Sequence, residues 1–139
     1  MAIDQDDIAR LRLIRTQGIG PVTYRQLIAR YGSPAAAIEA VPELARRGGG
    51  HPPAIASAAS VLREAERVEK LGARYLFAGR GLYPPLLDQI ETAPAALVVA
   101  GNLRLLEKPA VAIVGARNAS AAAVRFARQI AVELGQAGA

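Results

Sequence analysis

The sequence predicts a mixed chain. A small all-α bundle over residues 1–72 precedes the opening strands and helix of an α/β region over residues 73–139. Three observations carry this reading. Apolar residues in the first part recur at helical spacing between recognisable caps. From Arg74 onward short, continuous apolar runs replace that pattern. Val111 to Val114 then stops at Gly115, and a long Ala-rich helical stretch starts at Ser120.

The first helix is capped by Asp4, with Asp7 three residues on in an approximate capping box, and Ile8, Leu11 and Ile14 give its apolar positions. Gly18-Ile19-Gly20-Pro21 breaks it. Pro21 opens a second helix, where its missing N–H costs nothing, and Tyr24, Leu27, Ile28 and Tyr31 form one stripe ending at Gly32. Ser33-Pro34 restarts a short helix, and Pro42 opens another small turn. After Gly48-Gly49-Gly50 and His51-Pro52-Pro53, a long helix is expected from about Pro53 to Leu71, with Gly72 at its C-terminus. Ile55, Leu62 and Val68, supported by Ala58, Ala59 and Ala65, supply its apolar side. Arg63, Glu64, Glu66, Arg67, Glu69 and Lys70 form a solvated face.

In the second region Tyr75 to Ala78 reads as a strand and Gly79-Arg80-Gly81 as a turn. Tyr83, beside Pro84, is a packing anchor, and Asp88 and Glu91 sit solvated on a short turn. Ala96 to Ala100 is a second buried strand closed by Gly101-Asn102, and Val111 to Val114 a third. Strands without alternation point to a sheet covered on both faces. A strand–loop–helix unit ordinarily returns to a further parallel strand, and none follows the last helix, so the reading expects an incomplete domain.

Composition narrows the chemistry. The chain has no cysteine, which excludes disulfides and thiolate metal sites and fits a reducing cytoplasm. One histidine, His51, leaves no His-rich metal site and no Ser-His-Asp triad. No pair of carboxylates stands out as an acid/base couple, so no catalytic residue, metal or cofactor is expected. No apolar run is long enough to span a bilayer. The net charge of +5 favours polyanionic partners. Residues 1–72 carry ten basic and eight acidic groups and residues 73–139 seven and four, which places the imbalance chiefly in the second region.

The loop Gly115-Ala116-Arg117-Asn118-Ala119-Ser120 is the main candidate site. Loop amides and the positive end of a helix dipole make an anion site where a strand feeds a helix. Gly115 permits close backbone approach, Arg117 adds a planar donor fork for phosphate oxygens, and Ser120 caps the helix or donates to phosphate. The spacing is neither a dinucleotide fingerprint nor a P-loop. The same residues also fit a plain strand end, a helix cap and a surface arginine. Gly18 to Pro21 resembles a helix-hairpin-helix turn with Arg15, Arg25 and Arg30 nearby, but is read in preference as a tight interhelical connection.

Taken together, three blocks resemble the DNA-processing protein A family (DprA/Smf). They are Leu13 to Pro21 with Leu27 to Ser33, Tyr83-Pro-Pro-Leu-Leu-Asp-Gln-Ile followed by Ala93-Pro94 and Leu97 to Asn102, and Val111 to Ser120. The resemblance covers nearly the whole chain. It implies a SAM-like, helix-hairpin-helix-like helical domain over 1–72, followed by the beginning of an extended Rossmann-like DNA-binding domain over 73–139. It further implies single-stranded DNA and the RecA recombinase as partners, protection and loading of DNA in natural transformation and competence, a homodimer when full length, and a cytoplasmic location with no membrane partner. Gly115, Arg117 and Ser120 match the family's phosphate-gripping loop. Ala121-Ala122-Ala123 departs from it, because a glycine commonly follows that serine within a few residues. The alternative is a Rossmann-type enzyme of the lysine-decarboxylase-like class, holding a nucleotide phosphate in the same loop. A third reading makes the Gly18–Pro21 turn the functional surface, for duplex DNA or a protein partner.

Overall fold

In the computed structural model, residues 3–138 are described. The order is α1 (Gln5–Arg15), α2 (Pro21–Tyr31), α3 (Pro34–Arg47), α4 (Ala58–Lys70), β1 (Arg74–Phe77), α5 (Pro85–Asp88), β2 (Ala96–Val99), a 3-10 turn (Leu103–Glu107) and α6 (Ala121–Ala137). The chain forms two compact units, the first ending at Gly101 and the second beginning at Asn102. It is a helix-rich fold with a helical bundle and a small sheet ahead of the last helix.

Local chemistry sets most helix ends. Asp4 accepts from the Asp7 backbone N–H at 2.7 Å while the Asp7 carboxylate accepts from the Asp4 N–H, a complete capping box. Pro21 opens α2, and Gly32 ends it at φ 76°, a left-handed conformation that suits glycine. Ser33 caps α3 through the Ala36 N–H. Gly72, at φ 67°, closes α4 in a paired terminal loop: its own N–H reaches the Glu69 carbonyl and that of Ala73 the Val68 carbonyl.

Three sequence expectations are corrected. Pro42 does not open a new turn; α3 runs through it from Pro34 to Arg47. Val41 is buried and Ile38 and Leu44 pack on the same cluster, so tertiary burial on both sides of the proline outweighs the missing hydrogen bond. Helix α4 begins at Ala58 rather than near Pro53, capped by Ser57. The reason is Ala56, whose carbonyl accepts from Arg12 Nε at 2.8 Å and whose N–H donates to Thr16 Oγ1 at 3.2 Å. Both backbone groups of that residue are taken, one by Arg12 of α1 and one by its C-cap Thr16, which rules out a helical ladder there. The buried side of α4 is Val61 and Ala65, with Leu62 exposed.

Two apolar clusters lie on opposite sides of α1. Leu13 packs with Tyr24, Leu27, Ala37, Val41 and Ala95, and Leu11 packs with Val61 and Phe77. A single stripe of Ile8, Leu11 and Ile14 understates this helix, because Leu13 is fully buried. Strands β1 and β2 pair antiparallel, Arg74 opposite Val99 and Phe77 opposite Ala96. Tyr83 is buried, as its anchor role requires, and its hydroxyl donates to the Pro94 carbonyl at 2.6 Å. The loop returning from β1 is thereby fastened to the residues entering β2.

Candidate nucleic-acid interface

The second unit starts with Asn102, whose side chain accepts from the Arg104 N–H and caps the 3-10 turn. Residues 108–120 then run without regular structure. Val111 to Val114 is therefore not a strand, contrary to its apolar pattern. A ladder needs a neighbour for its N–H and C=O groups, and among the described residues β1 and β2 pair only with each other. Val111 and Val114 are exposed accordingly.

Gly115, Arg117 and Ser120 lie on one exposed loop that leads into α6. Ser120 Oγ accepts from the Ala123 N–H at 3.2 Å and its carbonyl accepts from Val124, so this residue is the helix N-cap. The N–H groups of Ala121 and Ala122, in the first turn, have no intrahelical partner, and the helix dipole places its positive end beside them. Arg117 enters none of the ion pairs formed among the described residues. Gly115 does not adopt a positive φ, and nothing lies within 4 Å of where a Cβ would stand. The protein's own packing does not require a glycine there. Gly115, Asn118 and Ser120 border an open groove of about 960 Å³, together with Val111 to Val114 and one side of α6.

The first unit is arranged differently, since several of its arginines pair with carboxylates. Arg15 grips Glu64 with two nitrogens, at 2.6 and 2.9 Å. Arg25 reaches Asp88 at 2.8 Å, and Arg80 bridges Asp6 and Asp7 at 2.7 and 3.2 Å. Glu64 and Asp88, read as solvated from the sequence, are thus partners across the fold, and Asp88 also accepts from the Gly79 N–H. Pairing partners of such long sequence separation carry no local signal. The Arg15 hydrogen bond holds the Glu64 carboxyl below its usual range, and burial, then donation to Glu64, pushes the Tyr75 hydroxyl up to about 12. Tyr24 is buried, its oxygen accepting from Arg10 at 2.9 Å, and its hydroxyl is raised by that burial.

Around the Gly18–Pro21 turn, Arg15 and Arg25 are therefore committed to carboxylates, and Arg30 stands over the Tyr31 ring at 5.5 Å. Gly18 takes φ 83°, and Gly20 caps α2 without a side-chain bond. His51 is exposed and borders a groove beside this turn. Carboxylates of Asp4, Asp6 and Asp7 meet at the start of α1, where backbone amides and the two arginines Arg10 and Arg80 take them up. No helix among the described residues is long and apolar enough to cross a membrane.

Comparison with protein families finds two matches in chain order. Residues 4–66 match the DprA-like N-terminal HHH domain, and residues 74–139 match the DNA recombination-mediator protein A family. A search of curated proteins found no match. The first match takes in α1 to α4 up to Glu66, and the second takes in the hairpin, the loop Gly115–Ser120 and α6. Both regions are accounted for by one family acting in DNA processing and recombination, and the chain belongs to it: the DNA-processing protein A family.

Proposed function

We propose that this protein binds single-stranded DNA through the loop Gly115–Ser120 and passes that strand to the RecA recombinase during transformation, in the cytoplasm and without catalysing a reaction. The observation that carries the reading is the recombination-mediator match over residues 74–139, which contains that loop. Its physical support is an exposed Arg117, without an ion pair among the described residues, beside the free first-turn amides of a 17-residue helix. Gly115 provides close backbone approach, Ser120 fixes the start of the helix, and Arg117 is the principal phosphate ligand. Affinity then comes mainly from phosphate neutralisation, with little sequence preference and a steep salt dependence.

The test is titration of a fluorescent single-stranded oligonucleotide with the protein and with Arg117→Ala, at low and at physiological salt. Binding that falls steeply with salt and weakens in the variant supports the reading. Absence of binding at low salt, or equal binding by both proteins, overturns it.

A further inference from the structure

The ion pairs of this protein are unevenly distributed. All of those formed among the described residues lie in the first unit. The second unit has five cationic side chains, Arg104, Lys108, Arg117, Arg125 and Arg128, against the two carboxylates Glu107 and Glu133, and among the described residues none of the five is paired with a carboxylate. On α6 the Glu133 carboxylate accepts from the Gln129 side-chain amide at 2.9 Å, so the arginines of that helix face solvent without a counter-charge.

Arg125 and Arg128 are not equivalent. Arg128 borders the groove that also receives Gly115, Asn118 and Ser120, next to Ala127 and Ala131; Arg125 does not border it, and Arg117 stands on the loop between the bordering Ala116 and Asn118. Eight residues separate Arg128 from Ser120, about 12 Å along the helix axis. Helical side chains lean toward the N-terminus, which brings the guanidinium back toward the loop. An axial span of that order corresponds to about three nucleotides of a stacked strand, at about 3.4 Å per nucleotide. We infer that Arg128 is a second phosphate ligand, gripping the strand a few nucleotides beyond the Arg117 contact, while Arg125 is a solvated residue of the outer face. This rests on the single-stranded DNA reading of the loop.

The experiment is a salt titration of oligothymidylate binding by the full chain and by Arg117→Ala, Arg128→Gln, Arg128→Lys and Arg125→Gln, with helicity checked by circular dichroism. Each phosphate contact contributes about 0.7 to the slope of log K against log salt for a single strand. Arg128→Gln is expected to lower the slope by about 0.7 and to weaken binding several-fold at low salt. Arg128→Lys retains the slope, and Arg125→Gln leaves it unchanged. An unchanged slope in Arg128→Gln, alongside a reduced one in Arg117→Ala, overturns this inference alone. Equal losses in Arg125→Gln and Arg128→Gln also overturn it, since they report the general field of the helix. Failure of the unmodified protein to bind at low salt overturns the loop reading with it.

Discussion

Arg15 on α1 and Glu64 on α4 are joined by a two-nitrogen grip across 49 positions of sequence, and the Tyr75 hydroxyl of β1 donates to the same carboxylate at 2.7 Å. One side chain of α4 thus ties the first helix to the first strand. Substituting Glu64→Gln keeps the shape and removes the charge that both donors address. Denaturant unfolding should show a loss of about 1 kcal/mol, since charge-assisted hydrogen bonds contribute more than neutral ones and this pair is partly exposed. Arg63→Gln, on the exposed side of the same helix, should change stability little.

The same carboxylate gives the stability a direction with pH. Its folded pKa lies below the ordinary glutamate value, so its contribution is complete at neutral pH and is lost as pH falls through the depressed value. Tyr75 acts at the other end. Its hydroxyl titrates at about 12 when folded and near 10 when unfolded, so the protein should lose stability as pH rises between those values. Comparing melting temperature against pH for the protein and for Tyr75→Phe measures this; the alkaline loss should be smaller in the variant.

Tyr83→Phe should cost about 1 kcal/mol, the value of the hydrogen bond to the Pro94 carbonyl, with the ring still buried. Tyr83→Ala should cost about 3 kcal/mol or more through the cavity it leaves. Equilibrium unfolding by tryptophan-free probes such as far-ultraviolet circular dichroism resolves the two, because the chain has no tryptophan.

Gly115→Ala separates the loop's fold from its proposed role. The new methyl meets no protein atom and no left-handed backbone, so the melting temperature should hold or rise slightly. If a phosphate approaches the backbone there, affinity for a single strand should drop several-fold. Parallel thermal melts and fluorescence titrations give both values from one preparation.

Pro42→Ala should stabilise the protein by about 1 kcal/mol, as it restores a missing amide in the middle of α3. Calorimetry checks it.

Features governed by neighbours in sequence were legible before the structure. Asp4 with Asp7, Pro21, Gly32, Ser33 and Gly72 all stand where their backbone chemistry places them. Features governed by distant partners were not. Nothing near Ala56 announces that Arg12 and Thr16 will occupy both of its backbone groups, and nothing near Glu64 or Asp88 announces an arginine. Leu13 escaped because α1 is covered on two sides, so its apolar residues exceed one stripe. At the candidate site, Ser120 was legible as a cap because that bond is local. Val111 to Val114 has the composition of a strand, but strand formation belongs to a pair of segments and is invisible in one of them.

Ala56 sits between a glycine- and proline-rich crossover and the start of α4, with its N–H and C=O clasped by the C-terminal end of α1 and its cap Thr16. That clasp uncouples the length of the crossover from the placement of α4. Residues added or removed between Gly48 and Pro53 would be absorbed as slack, while α4 kept its register against Leu11 and Phe77 through Val61. Within this bundle, a stretch able to change length without cost therefore adjoins, within a few residues, the point that fixes where the next helix lies.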